Sequence, residues 1–170
     1  MGNPDAEYFD LVDALDRVTG RALRRDVHAN GWRHRAIHVF VFNRAGEVFL
    51  QKRSMKKDMA PGLWDTSCSG HVDSGEDYDA AAQRELGEEL GLRIPSPPTR
   101  WFRVEAGPDT AWEFVWVYRM QAEGPFQLNP DEIDGGEWLA PADLDRRLAT
   151  RADEYSPAFR FIWSRARLIR

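Results

Sequence analysis

Three glutamates carry the first chemical signal. Glu85, Glu88 and Glu89 stand at i, i+3 and i+4, so a helix sets all three carboxylates on one side. Like charges at these spacings repel, and Arg84 is the one nearby cation. A hard divalent cation would neutralise them. Oxygen ligands of this kind suit Mg²⁺ or Mn²⁺, and Mg²⁺ typically binds through a few carboxylates plus substrate phosphates. The plainer reading is a solvated acidic helix face, and the spacing alone does not separate the two.

Charge runs outside the triplet bear on the same question. Arg17, Arg21, Arg24, Arg25, Arg33 and Arg35 form one basic group, and Lys52, Arg53, Lys56 and Lys57 form a second. Positions 73–89 are strongly acidic. A basic group close to an acidic one suits an anionic substrate held through metal ions. Two solvated faces of opposite sign would look the same.

The elements that must position these groups follow from periodicity. Tyr8 to Asp13 reads as a short strand. His38–Phe42 and Glu47–Gln51 read as a hairpin across Asn43-Arg-Ala-Gly46. Met59 to Gly62 is a loop. Asp77 to Leu90 reads as a helix, with acidic residues in its first turn and Gly91 as the stop signal. Trp101–Val104 and Trp112–Met120 resemble two further strands around a turn at Gly107-Pro-Asp109. Trp112, Phe114, Trp116 and Tyr118 alternate and share one strand face, which either walls a pocket or packs under a helix. Pro141 opens a helix through Leu148, and Pro157 to Arg170 has a helical apolar stripe. Hairpins with helices at intervals predict an α+β fold, a mixed sheet flanked by helices.

The segment Gly70-His-Val-Asp-Ser-Gly-Glu76, continued through Arg84-Glu85-Leu-Gly-Glu88-Glu89-Leu-Gly91-Leu92, resembles the Nudix box at every fixed position. Chance would give such a match on the order of 10⁻⁷ per chain of this size. The resemblance implies an α/β/α sandwich and a pyrophosphohydrolase. It implies that Glu85, Glu88 and Glu89 are metal ligands for Mg²⁺ or Mn²⁺. Glu76 would support the helix through Arg84, and Gly70 and Gly91 would serve the bends. The implied substrate is a nucleoside diphosphate derivative or another small organic diphosphate. Glu88 and Glu132 are the candidates for the base that takes a proton from the attacking water. Arg53, with Lys52 beside it, resembles the cation that contacts substrate phosphate, since a planar fork suits phosphate. A surface salt bridge would use Arg53 equally well.

The stretch Arg33 to Asn43, with Gln51-Lys-Arg-Ser54 and Pro61-Gly-Leu-Trp64, is similar to the branch that includes type I isopentenyl diphosphate isomerase. That enzyme uses a cysteine and a metal held by histidines and carboxylates. Here Ser69 holds the cysteine's place and Cys68 is displaced by one, which turns its side chain to the other face of a strand. His34 and His71 match metal positions, His28 is one position off, and Glu113 matches one of two strand carboxylates. Whether His28, His34 and His71 form a second metal site stays open in the sequence. The departures and the complete box favour a hydrolase over an isomerase or a catalytically silent binding domain.

Composition fits this reading. The chain has 170 residues, a net charge of −5, 42% apolar and 30% charged residues. One domain over 1–170 is expected, with an N-terminal extension 1–33, a core 34–140 and C-terminal helices 141–170. Acidity argues against a nucleic-acid polymer as partner, and no apolar run reaches a bilayer span. The acidic start lacks the regions of a secretory signal, and Cys68 is the single cysteine. A cytoplasmic protein is expected.

Overall fold

The computed structural model describes residues 6–169. The first residues of the acidic start and the last residue of the expected C-terminal helix lie outside them. The described chain runs β1 (Tyr8–Val12), β2 (Val18–Leu23), α1 (Arg24–Asn30), β3 (His34–Phe42), β4 (Val48–Arg53), β5 (Trp64–Asp65), β6 (Cys68–His71), α2 (Tyr78–Leu90), β7 (Thr99–Val104), β8 (Glu113–Gln121), β9 (Ile133–Leu139), α3 (Pro141–Arg151) and α4 (Pro157–Ala166).

The main sheet is mixed, as expected. Its order is β5-β4-β3-β8-β7, with β6 beside β3 and β9 beside β4. β3 and β8 are parallel, and the other pairings are antiparallel. β3 is apolar on both faces from Ala36 to Phe42, interrupted by His38, because both of its faces are covered. Ile37, Val39 and Val41 face one way, against Ala81, Ala82, Leu86 and Leu90 of α2. Ala36 and Phe40 face the other, against Leu144 of α3 and Phe159, Ile162 and Trp163 of α4. The result is an α/β/α sandwich with two apolar layers.

The expected hairpin between β3 and β4 is only a corner. The two strands share one register pair, Phe42 with Val48, and then diverge. β6 takes the first half of β3 instead, from Ala36 with His71 to Val39 with Cys68. The Ser67 hydroxyl spans the split, accepting from the Val41 amide and donating to the Phe49 carbonyl. This fork in the sheet opens above the C-terminal end of α2.

α2 starts one residue after the expected position because Asp77 caps it, its side chain accepting from the Ala80 amide at 2.8 Å. Gly91 ends it in the left-handed region, φ +68°, where a glycine is needed. The strand expected from Trp112 begins at Glu113, because Ala111 and Trp112 both have positive φ. Trp112 therefore leaves the aromatic face. Phe114, Trp116 and Tyr118 keep it and pack in the layer under α2, so this face supports a helix. α3 runs three residues beyond Leu148, and α4 stops at Ala166. β2, α1, β5 and β9 had no counterpart in the sequence reading, and β6 entered it only as the strand implied at Cys68 and Ser69.

Candidate active site

β6 is the strand on which the site is built. Its residues alternate between faces. Gly70 faces α2, and a methyl group there would come within 2.1 Å of Glu85 Cδ. The Glu85 carboxylate thus occupies the space a side chain would take.

Arg84 gathers the box. Its guanidinium forms a fork with Glu76, Nε to Oε1 and Nη2 to Oε2, both at 2.9 Å. Nη1 donates to Glu85 Oε1 at 2.7 Å and to Glu88 Oε2 at 3.3 Å. Nη2 also donates to the His71 carbonyl at 2.9 Å, which ties the helix to β6. A planar fork can serve these directions at once, and an ammonium cannot.

The three helix carboxylates are not equivalent. Glu85 is mostly covered, the Glu89 residue is 2% exposed, and the Glu88 side chain is 57% exposed. Burial, with the Glu89 charge next, pushes the Glu85 carboxyl well above its usual range. Burial also raises Glu89, to about 7, against the opposing pull of Lys57, the Ser69 amide and Gln51. Two crowded acids held away from water favour either a proton or a cation. Glu132, on the loop before β9, sits near enough to raise Glu89 further, and its carboxylate pairs with the Lys57 ammonium. The fold therefore brings Glu76, Arg84, Glu85, Glu88, Glu89 and Glu132 to one place, with Gly70 beneath and Gly91 at the helix end. The donors are all hard oxygens, the set that fits Mg²⁺ or Mn²⁺.

Lys52 and Arg53 engage other groups. The Lys52 ammonium lies over the Trp64 ring at 5.1 Å. Arg53 Nε donates to the Met59 carbonyl at 3.0 Å, and Nη1 lies 3.6 Å from Asp65. Arg53 braces the base of the loop that carries Lys57.

A second cluster lies on the far side of β6. His28 of α1, His34 of β3, His71 of β6 and Glu113 of β8 bring one donor atom each within 4.8 Å of one another. His34 and Glu113 are register neighbours in the parallel pair. The His34 Nδ1–H donates to the Trp32 carbonyl at 2.8 Å, which turns Nε2 toward the cluster. That Nε2 is buried without a hydrogen bond and lies 3.3 Å from Glu113 Oε1. Either a proton on Nε2 or a cation held between the two atoms satisfies this pair. His71 Nε2 lies 3.0 Å from the same oxygen and 3.2 Å from His28 Nε2. Burial lowers His71 against the pull of Glu113, and burial is the largest cause that takes His28 down to about 4, the direction that suits neutral metal ligands. Phe9 closes the cluster, its ring 4.5 Å from the His71 ring and 5.6 Å from that of His34. Imidazole and carboxylate donors together suit a transition ion.

Cys68 is fully buried under α2. Burial, then the charges of Glu89 and Glu85, push its thiol well above the usual range. It is an inert packing residue in this position.

The sequence reading did not single out Gln51 or the individual role of Lys57. Gln51 had a visible signal, a polar residue ending the apolar run Val48-Phe-Leu. Lys57 had none beyond its charge, because a loop sets its place.

The sequence profile of the NUDIX domain family matches residues 32–159. A protein of Deinococcus radiodurans named Nudix hydrolase is 35% identical over 150 residues, covering 88% of each chain. A protein of Photorhabdus laumondii named isopentenyl-diphosphate Delta-isomerase 2 is 36% identical over 161 residues, covering 92% of this chain and 90% of that one. A crystal structure from Deinococcus radiodurans superposes with a TM-score of 0.76 at 31% identity, over 96% of this chain and 99% of the other.

Proposed function

The chain belongs to the Nudix family, whose hydrolases act on pyrophosphate bonds, and from that premise we propose that it is a Mg²⁺- or Mn²⁺-dependent pyrophosphohydrolase of a small organic diphosphate, in the first place a nucleoside diphosphate derivative. One observation carries the reading: Arg84 draws Glu76, Glu85 and Glu88 together against β6, and Glu89 and Glu132 join them from the other side.

Glu85, Glu88 and Glu89 would hold the divalent ion, with Glu132 beside them. When bound, that ion supplies neutralisation of the diphosphate charge and a more acidic water. Arg84 fixes the direction of Glu85 and Glu88. Glu88 is the carboxylate open to solvent, which suits it to take the proton of the attacking water. Glu132 is the second candidate, and it must first release Lys57. Lys52 and Arg53 are assigned to substrate phosphate from the sequence. For direct contact their present partners, Trp64, Met59 and Asp65, must yield.

The reading also takes residues 1–170 as one domain, with a cytoplasmic location and no nucleic-acid or membrane partner. Among the described residues no helix is long and apolar enough to cross a membrane.

The His28, His34, His71 and Glu113 donors support a second ion in this reading, and they are what favours the alternative of an isomerase-like enzyme. The buried Cys68 thiol, turned under α2, speaks against that alternative. The test is product analysis on a panel of nucleoside di- and triphosphates, nucleotide sugars, dinucleotides and isopentenyl diphosphate, with and without Mg²⁺. Metal-dependent phosphate or monophosphate release is expected. Allylic diphosphate from isopentenyl diphosphate, without phosphate release, would replace this reading with the isomerase. Metal analysis of wild type and His34→Ala then reads the second centre, with one equivalent of transition metal expected to be lost.

A further inference from the structure

Gln51 is a buried amide in an apolar place. It follows Val48, Phe49 and Leu50 on β4 and shares the α2-facing side with Phe49. Its own exposure is 1%. Burying an amide without partners is unfavourable, so its bonds are the reason for its presence. The amide nitrogen donates to Glu89 Oε2 at 3.0 Å and reaches the Ser67 carbonyl at 3.5 Å. Both partners are acceptors, which fixes the amide with its nitrogen toward them.

Glu89 Oε2 receives a second donor, the Ser69 amide, at 3.1 Å. One oxygen is thus held from two directions, from β4 by a side chain and from β6 by backbone. These two strands flank the fork in the sheet. With Oε2 held in this way, the carboxylate cannot turn freely, and Oε1 is left without either donor. The backbone donor survives any substitution on β4. The side-chain donor does not.

We propose that Gln51 is a positioning residue for the carboxylate centre: it locks the rotation of Glu89 so that Oε1 is the oxygen presented to the divalent ion. The inference rests on the hydrolase reading of that centre and adds a residue outside the box to its machinery. Partners of this kind around metal-ligating carboxylates are worth about 10–100-fold in affinity. Gln51 touches neither ion nor substrate and acts through Glu89 alone.

The test compares wild type with Gln51→Leu, Gln51→Met and Glu89→Gln. Mn²⁺ binding is titrated directly by electron paramagnetic resonance of the free ion, and melting is followed in EDTA. Glu89→Gln identifies the class of Mn²⁺ sites that belongs to this centre. Gln51→Leu is expected to weaken that class by about tenfold or more while the EDTA melting temperature holds. Gln51→Met keeps the length of the side chain, removes the donor without adding a charge, and should weaken it as much, so it decides the matter if the leucine variant fails to fold. Unchanged Mn²⁺ affinity in the Gln51 variants, with loss in Glu89→Gln, overturns the role of Gln51 alone. Unchanged affinity in Glu89→Gln overturns the centre itself.

Discussion

The α-carbon of Gly70 lies against the carboxylate of Glu85, so close that a methyl group would stand 2.1 Å from Glu85 Oε1. That oxygen is also the one that accepts from Arg84. Strand and helix meet here without a side chain between them, and the order of the site depends on that contact. Gly70→Ala should displace Glu85 and break its bond to Arg84. A misplacement near 1 Å costs about 10²-fold in rate. Metal-dependent turnover is expected to fall by that factor with the far-ultraviolet circular dichroism spectrum unchanged, and wild-type turnover in the variant would refute the contact's importance.

Glu88→Gln isolates chemistry from folding. The side chain is exposed and, among the described residues, its bond is to Arg84 at 3.3 Å, so stability should move by no more than about 0.5 kcal/mol. Turnover should drop by about 10²–10⁴-fold, the usual worth of a positioned base. Near-wild-type activity would sink the assignment of the metal site.

Arg84→Lys keeps the charge and removes the fork. Glu76 loses one of two bonds from the guanidinium, and Glu85, Glu88 and the His71 carbonyl compete for the ammonium. Hydrogen bonds to charged groups contribute about 1.5–3 kcal/mol each. Urea unfolding in EDTA should show a loss of this order, because no ion then offsets the repulsion among carboxylates. Equal midpoints for variant and wild type would contradict it.

His38 gives a pH dependence of definite sign. Its ring is buried on β3, Nδ1 2.8 Å from the Thr66 hydroxyl, with Asp65 at 3.8 Å. Burial lowers its affinity for a proton, and Asp65 and Glu113 only partly oppose that. The unfolded chain, with an ordinary histidine near 6.5, binds the proton first. Its contribution to stability is therefore complete above about 6.5 and is lost as pH falls toward the depressed folded value. Glu89, raised to about 7, works in the opposite sense, adding stability as pH falls below 7. The difference curve between wild type and His38→Gln removes that background. Melting temperatures from pH 8 to 5 should converge at low pH, and parallel curves would contradict the assignment.

The box was legible because its members are local. Glu85, Glu88 and Glu89 lie within five residues on one helix, and a 3.6-residue period fixes their common side whatever the rest of the chain does. Asp77 as cap and Gly91 as stop follow from the same local rules. β6 was legible only through the resemblance, for the opposite reason: Cys68-Ser-Gly-His has no strand alternation, and it is a strand because β3 offers it an edge. β2, β5 and β9 are set in the same way by partners.

The sequence by itself determined the family pattern, the helix that carries the acidic triplet, and the chemistry of its oxygen donors. Tertiary structure alone decided what surrounds them. His28, His34, His71 and Glu113 come from four separate elements, and only the packing of α1 and three strands puts their donor atoms within 4.8 Å. Gln51 reaches Glu89 across 38 residues of chain, and Lys57 reaches Glu132 across 75. Spacing along the chain carries no information about such distances. They are fixed by strand register and by the fork in the sheet, which exist only once the two apolar layers have closed.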